Sequence, residues 1–219
     1  MVCAGTPRPG SAAATLAPVL IDGPSSARHT LILAHGAGGG MDTPFMNRIA
    51  KGIAECGIRV IRFEFPYMAA RRSGTRRGAP DRTPVLLTSW RQVIEEVGGE
   101  VLIGGKSLGG RIASMVADEA GVRGLVCLGY PFHPPGKPET LRTGHLRDLR
   151  TPTLIIQGTR DPFGSPQEVA GYELSPSIRV KWIEDGDHSL RPRASSGRSE
   201  SQNLAEAVGL VCGFAGQPG

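Results

Sequence analysis

The pentapeptide Gly105-Lys106-Ser107-Leu108-Gly109 sets a serine between two glycines in the pattern G-x-S-x-G. A serine hydroxyl becomes a usable nucleophile when a sharp strand-to-helix bend lifts it clear of its neighbours, and that bend leaves no room for side chains two residues to either side. Gly105 and Gly109 meet the requirement, with the apolar stretch Val101-Leu102-Ile103 before the bend and a helical pattern after it. A helix starting here aims free N–H groups and a positive end at the hydroxyl. The Leu108 N–H is therefore a candidate donor to an oxyanion. The three residues Gly105-Lys106-Ser107 also spell the end of a phosphate loop, G-x-x-x-x-G-K-S, but the first glycine of that loop falls on Glu100.

A serine nucleophile needs a base to take its proton and a carboxylate to orient that base. His188, in Gly186-Asp187-His188, and Asp161, in Gly158-Thr159-Arg160-Asp161-Pro162, each follow an apolar run. The order Ser107, Asp161, His188 is nucleophile, acid, base. Rival bases are His35 and His133, and alternative acids are Asp185 and Asp187, which adjoin His188 and suit its turn. His29 precedes its strand and His145 sits in a polar loop. After another apolar run, His35-Gly36-Ala37 opens a run of small residues to Gly40, and the Ala37 N–H is the second candidate oxyanion donor. His35 is read as a buttress of that loop. Lys106 is read as a solvated neighbour of the nucleophile.

These residues must be held by elements, and the hydrophobic pattern names them. Apolar runs at 31–34, 58–65, 101–103, 125–128, 154–156 and 178–183 read as buried strands. Between them, Phe45 to Cys56, Pro84 to Val97, Leu108 to Ala120, Pro166 to Leu174 and Gln202 to Phe214 have helical spacing. Strand and helix alternate, so the class is α/β with a mostly parallel sheet between two helical layers. In such sheets ligands sit beyond the carboxyl ends of the strands, where Ser107, Asp161, His188 and the glycine loop all fall. Two insertions are longer, Pro66 to Thr83 and Pro131 to Thr151. The arginines of the first, Arg71, Arg72, Arg76, Arg77 and Arg82, are expected in a mobile solvated loop, with a flap recruiting acidic substrates as the alternative.

At 219 residues, with 39% hydrophobic and 21% charged, the chain suits one packed domain and not a disordered one. Residues 1–28 are expected as a tail with a possible edge strand, and 29–219 as the domain. The net charge of +5 comes from scattered arginines, so nucleic acid is not an expected partner. No apolar run reaches the length of a membrane span. Cys3, Cys56, Cys127 and Cys212 form no C-x-x-C pair and are read as reduced thiols, consistent with a cytoplasmic protein. No clustered His/Cys set suggests a metal, and the chemistry needs no cofactor.

Across about Thr30 to Phe214 the chain resembles the α/β-hydrolase superfamily, in its small lid-poor, dienelactone-hydrolase-like group. The carrying segments are Leu33-Ala34-His35-Gly36-Ala37-Gly38, Gly104 to Gly110, Gly129 to Gly136, Gln157 to Phe163 and Gly186 to His188. The stretch Gly129-Tyr130-Pro131-Phe132-His133-Pro134-Pro135-Gly136 resembles a branch related to a vertebrate testis-expressed protein and a scaffold subunit of a histone acetyltransferase complex. The resemblance implies an α/β-hydrolase fold with minimal lid and a serine esterase acting on a small acyl substrate. Ser107 would be nucleophile, Asp161 acid and His188 base. Dienelactone hydrolases carry cysteine where this chain has Ser107, which argues against dienelactone as substrate. The scaffold relatives imply the alternative, a catalytically silent interaction module.

Overall fold

In the computed structural model of the protein, residues 19–75 and 77–217 are described. The expected tail at Met1 to Gly10, Cys3, and Arg76 of the arginine-rich stretch lie outside them. Seven strands form one sheet: β1 (Leu20–Asp22), β2 (Thr30–Ala34), β3 (Arg59–Phe63), β4 (Val101–Lys106), β5 (Gly124–Leu128), β6 (Thr153–Gly158) and β7 (Ile178–Ile183). Their spatial order is β1-β3-β2-β4-β5-β6-β7, with β1 antiparallel to β3 and every other pair parallel. This is an α/β-hydrolase fold.

Alternation along each strand feeds two cores. Ile32 and Ala34 pack with Trp90, Val93, Ile112 and Val116, from α3 (Thr83–Val97) and α4 (Leu108–Ala120). Leu31 and Leu33 pack on the other face with Ile49 and Ile53 of α1 (Pro44–Glu55) and with Leu204 and Val211 of α6 (Glu200–Ala215). Because both faces are covered, the central strands carry continuous apolar runs, as buried parallel strands do. Helix α1 starts with Pro44, already constrained to helical φ, behind Thr43, whose hydroxyl accepts from the Met46 N–H at 3.4 Å.

The remaining helices, α2 (Pro66–Arg72) and α5 (Pro166–Val169), correct two expectations. The start of the arginine-rich insertion is helical because Pro66 initiates a turn whose Tyr67 and Met68 are buried. Arg72 there donates to Glu64 and Asp42, and so is neutralised, not free to recruit anions. The helical pattern expected to reach Leu174 stops at Val169, after a Ser165/Glu168 capping box, and the chain turns back at Gly171. The cysteine expectation is also corrected. Cys56, closing α1, is disulfide-bonded to Cys212 in α6, with 6.3 Å between their Cα atoms. Sequence spacing could not reveal this, because the pair is 156 residues apart and meets only when α1 and α6 pack together. Cys127 is the free, buried thiol among the described residues.

Candidate active site

The bend after β4 holds Ser107 at φ 50° and ψ −112°, a strained region for a residue with a side chain. The geometry explains the flanking glycines. A Cβ on Gly105 would lie 2.4 Å from the Ala34 carbonyl oxygen, and one on Gly109 would lie 2.6 Å from the carbonyl oxygens of Ala34 and His35. Sheet and helix therefore meet at van der Waals contact under the bend. Ser107 N–H donates to the Leu128 carbonyl at 3.0 Å, which anchors the bend to β5.

The sequence-predicted residues converge. His188, on the loop after β7, has Nε2 2.9 Å from Ser107 Oγ and Nδ1 2.8 Å from Asp161 Oδ2. With Nδ1 donating to the carboxylate, Nε2 is free to accept from the serine hydroxyl. Asp161 is buried, and its other partners are the Phe163 N–H at 2.9 Å and the Gln157 Nε2 donor at 2.9 Å. Gln157 also bonds both backbone groups of Tyr130, so a buried amide ties Asp161 to the end of β5. Gln157 opens one of the segments that carry the family resemblance, but the sequence assigned it no role of its own. Burial lowers the pKa of His188, the bond to Asp161 opposes that, and the Lys106 charge adds to the lowering. The Phe163 ring lies 4.2 Å from the imidazole, centroid to centroid, and shields one side of it.

The rivals are engaged elsewhere. His35 Nδ1 donates to the Gly36 carbonyl at 2.7 Å while Nε2 accepts the Phe65 N–H at 3.1 Å, so the ring buttresses the loop as a neutral tautomer. His133 is bonded to the Pro134 carbonyl and faces Glu168. His145 meets Ser114 Oγ at 2.8 Å and the Tyr130 hydroxyl at 3.5 Å, a second serine–histidine contact with no carboxylate on it among the described residues. Asp185 is bound by Arg193 and Arg160, and Asp187 accepts the Ser189 and Arg191 N–H groups, shaping the turn that carries His188.

A cavity of about 400 Å³ opens beside Ser107 and His188, walled by the Gly36–Gly39 backbone, Phe45, Met46 and Phe163. Phe163 lines it, whereas Phe65, Tyr67, Trp90 and Phe132 are fully buried in the core. Phe45 was missed because it reads simply as an apolar residue of α1, and only the packing of that helix turns its first turn toward the site. Lys106 also lines the cavity and is buried, which corrects the solvated reading. Its Nζ donates to the His188 carbonyl at 2.5 Å and lies 5.6 Å from the centre of the Phe45 ring. Burial brings its pKa down to about 8, against the opposing pull of Asp161 and Asp187. With β4 ending at Lys106 and that amine turned to His188, no phosphate cradle forms here.

A mostly parallel sheet with a strained serine between strand and helix, facing a histidine from the last strand, defines the α/β-hydrolase class. Residues 27–216 match the family described as alpha/beta hydrolase domain, and the chain belongs to that family. Solved structures agree on the fold. An alpha-beta serine hydrolase homologue from Coxiella burnetii is 21% identical, with 90% of each chain covered and a TM-score of 0.68. A Xanthomonas campestris protein described as an a/b serine hydrolase without lid is 20% identical over 92% of this chain and 90% of that one, with a TM-score of 0.65. Dienelactone hydrolase from Anabaena variabilis is 22% identical over 90% and 89%, also at 0.65.

Proposed function

We propose that the protein is a serine hydrolase cleaving an ester or related acyl bond of a small substrate. The observation that carries the reading is the hydrogen-bonded series Ser107, His188, Asp161 at the wall of an open cavity. Ser107 Oγ attacks the carbonyl carbon as His188 Nε2 takes its proton, and Asp161 holds the imidazolium that forms. The negative charge on the carbonyl oxygen is received by the N–H groups of Ala37 and Leu108. His188 then protonates the leaving alkoxide, and water, activated by the same imidazole, releases the acid from Ser107.

The apolar walls from Phe45, Met46 and Phe163 suit a short, uncharged or weakly polar acyl group. The related solved structures include a serine hydrolase homologue and a dienelactone hydrolase, which agrees with carbonyl chemistry at this bend. The branch that also holds scaffold proteins offers the competing outcome, a silent module. A fluorophosphonate probe separates them: labelling of the wild type that is absent in Ser107→Ala supports the hydrolase. A folded wild type that stays unlabelled, and inert to p-nitrophenyl esters, rejects it.

A further inference from the structure

The hydroxyl of Tyr67, on α2, lies 3.2 Å from the carbonyl oxygens of both Gly36 and Ala37. Arg71 Nη1 adds a donor to the Ala37 carbonyl at 3.3 Å, and the Arg71 guanidinium sits 5.1 Å over the Tyr67 ring. Two successive carbonyls thus face one buried phenol. In a planar trans peptide the N–H points opposite to the carbonyl of the same unit. Anchoring the Gly36 carbonyl therefore turns the Ala37 N–H away from Tyr67, and anchoring the Ala37 carbonyl does the same for the Gly38 N–H. Both residues line the cavity beside Ser107. Among the described residues, neither N–H meets an acceptor in the protein.

The anchor matters because of the loop it holds. Inverting the Gly36–Ala37 unit would carry Ala37 toward positive φ, but the Ala37–Gly38 unit changes φ only at a glycine and can invert at small cost. Inverted, it would present a carbonyl oxygen where negative charge develops, repelling what the loop should stabilise. Burial pushes the Tyr67 pKa up to about 12, so the phenol keeps its proton and remains a donor at neutral pH. Its position is fixed by edge contacts with His35, at 5.7 Å between ring centres, and by stacking with Phe65.

We propose that Tyr67, clamped by Arg71, is a positioning residue that locks the Gly36–Ala37–Gly38 peptides, so that the oxyanion receives the Gly38 N–H together with those of Ala37 and Leu108. The inference rests on the hydrolase reading above and assigns a role to the arginine-rich insertion, which reaches the reaction through backbone orientation and not through substrate charge.

Tyr67→Phe removes the hydroxyl and keeps the ring. The expected result is a folded protein with kcat lowered about 10- to 100-fold, KM within about 3-fold, and affinity for a trifluoromethyl ketone lowered in parallel with kcat. Arg71→Ala moves the same quantities in the same direction by a smaller factor. A folded Tyr67→Phe protein with wild-type kcat and ketone affinity overturns the proposal. If the wild type itself is inert, the hydrolase reading fails separately, and crystal structures decide the lock: an inverted Ala37–Gly38 peptide in Tyr67→Phe supports it, and an unchanged one rejects it.

Discussion

The ammonium of Lys106 donates to the backbone carbonyl of His188 at 2.5 Å, so the residue preceding the proposed nucleophile also holds the loop that carries the proposed base. One side chain ties the end of β4 to the turn after β7, across the strands between them. Its positive charge opposes protonation of the imidazole it helps to place.

That coupling sets a pH dependence. In the proposed mechanism His188 accepts the serine proton only when neutral, and its pKa is lowered by burial and by Lys106, with Asp161 opposing. Activity is therefore full at neutral pH and falls as pH drops through a value below the ordinary histidine range. In Lys106→Met the positive charge is gone, so the acid limb of the kcat/KM profile moves to higher pH. A limb that stays in place or moves lower refutes the coupling.

The acid assignment has its own test. Asp161 is the carboxylate that contacts His188, whereas Asp185 is spent on Arg193 and Arg160. Asp161→Asn should lower kcat by about 10³- to 10⁴-fold while the protein stays folded. Asp185→Ala should lower the melting temperature and leave the kcat of the folded protein near wild type. The reverse pattern in steady-state kinetics would transfer the role to Asp185.

The bend itself is intolerant. A methyl on Gly105 would sit 2.4 Å from the Ala34 carbonyl oxygen and 2.9 Å from backbone atoms of Gly109 and Gly110. Gly105→Ala should cost about 1–3 kcal/mol of stability and depress fluorophosphonate labelling, because the strand and helix must separate to admit the methyl. Urea unfolding of Gly105→Ala with an unchanged midpoint and full labelling would show the close approach to be unimportant.

The Cys56–Cys212 bond closes most of the chain into one loop. Restricting the unfolded chain in this way stabilises by about 2–5 kcal/mol. Cys56→Ser/Cys212→Ser should therefore unfold at lower denaturant than the wild type without reductant, while reductant should bring the wild type toward the variant. Equal midpoints under all conditions would mean that the bond contributes nothing. The buried thiol of Cys127, whose pKa burial pushes up, should resist alkylation until the protein unfolds.

The strands, and the candidate residues Ser107, Asp161 and His188 at their ends, were legible in the linear chain because each depends on local rules. A continuous apolar run makes a buried strand, G-x-S-x-G makes a tight bend, and polar residues after strands collect on one sheet edge. Strands β2 to β7 lie on the six apolar runs, and Ser107, Asp161 and His188 meet at that edge. What lay outside those rules depended on contacts between distant segments. Lys106 looks solvated until β4 buries it, Tyr67 belongs to a loop of arginines until α2 packs beneath Gly36, and Cys56 is a lone thiol until α6 brings Cys212 to it. Periodicity and motif spacing are properties of neighbouring residues, so the chain alone determined the sheet and the chemical groups at its edge. Burial and pairing across 31 to 156 residues are set by which surfaces close on each other, and only the folded molecule decided those.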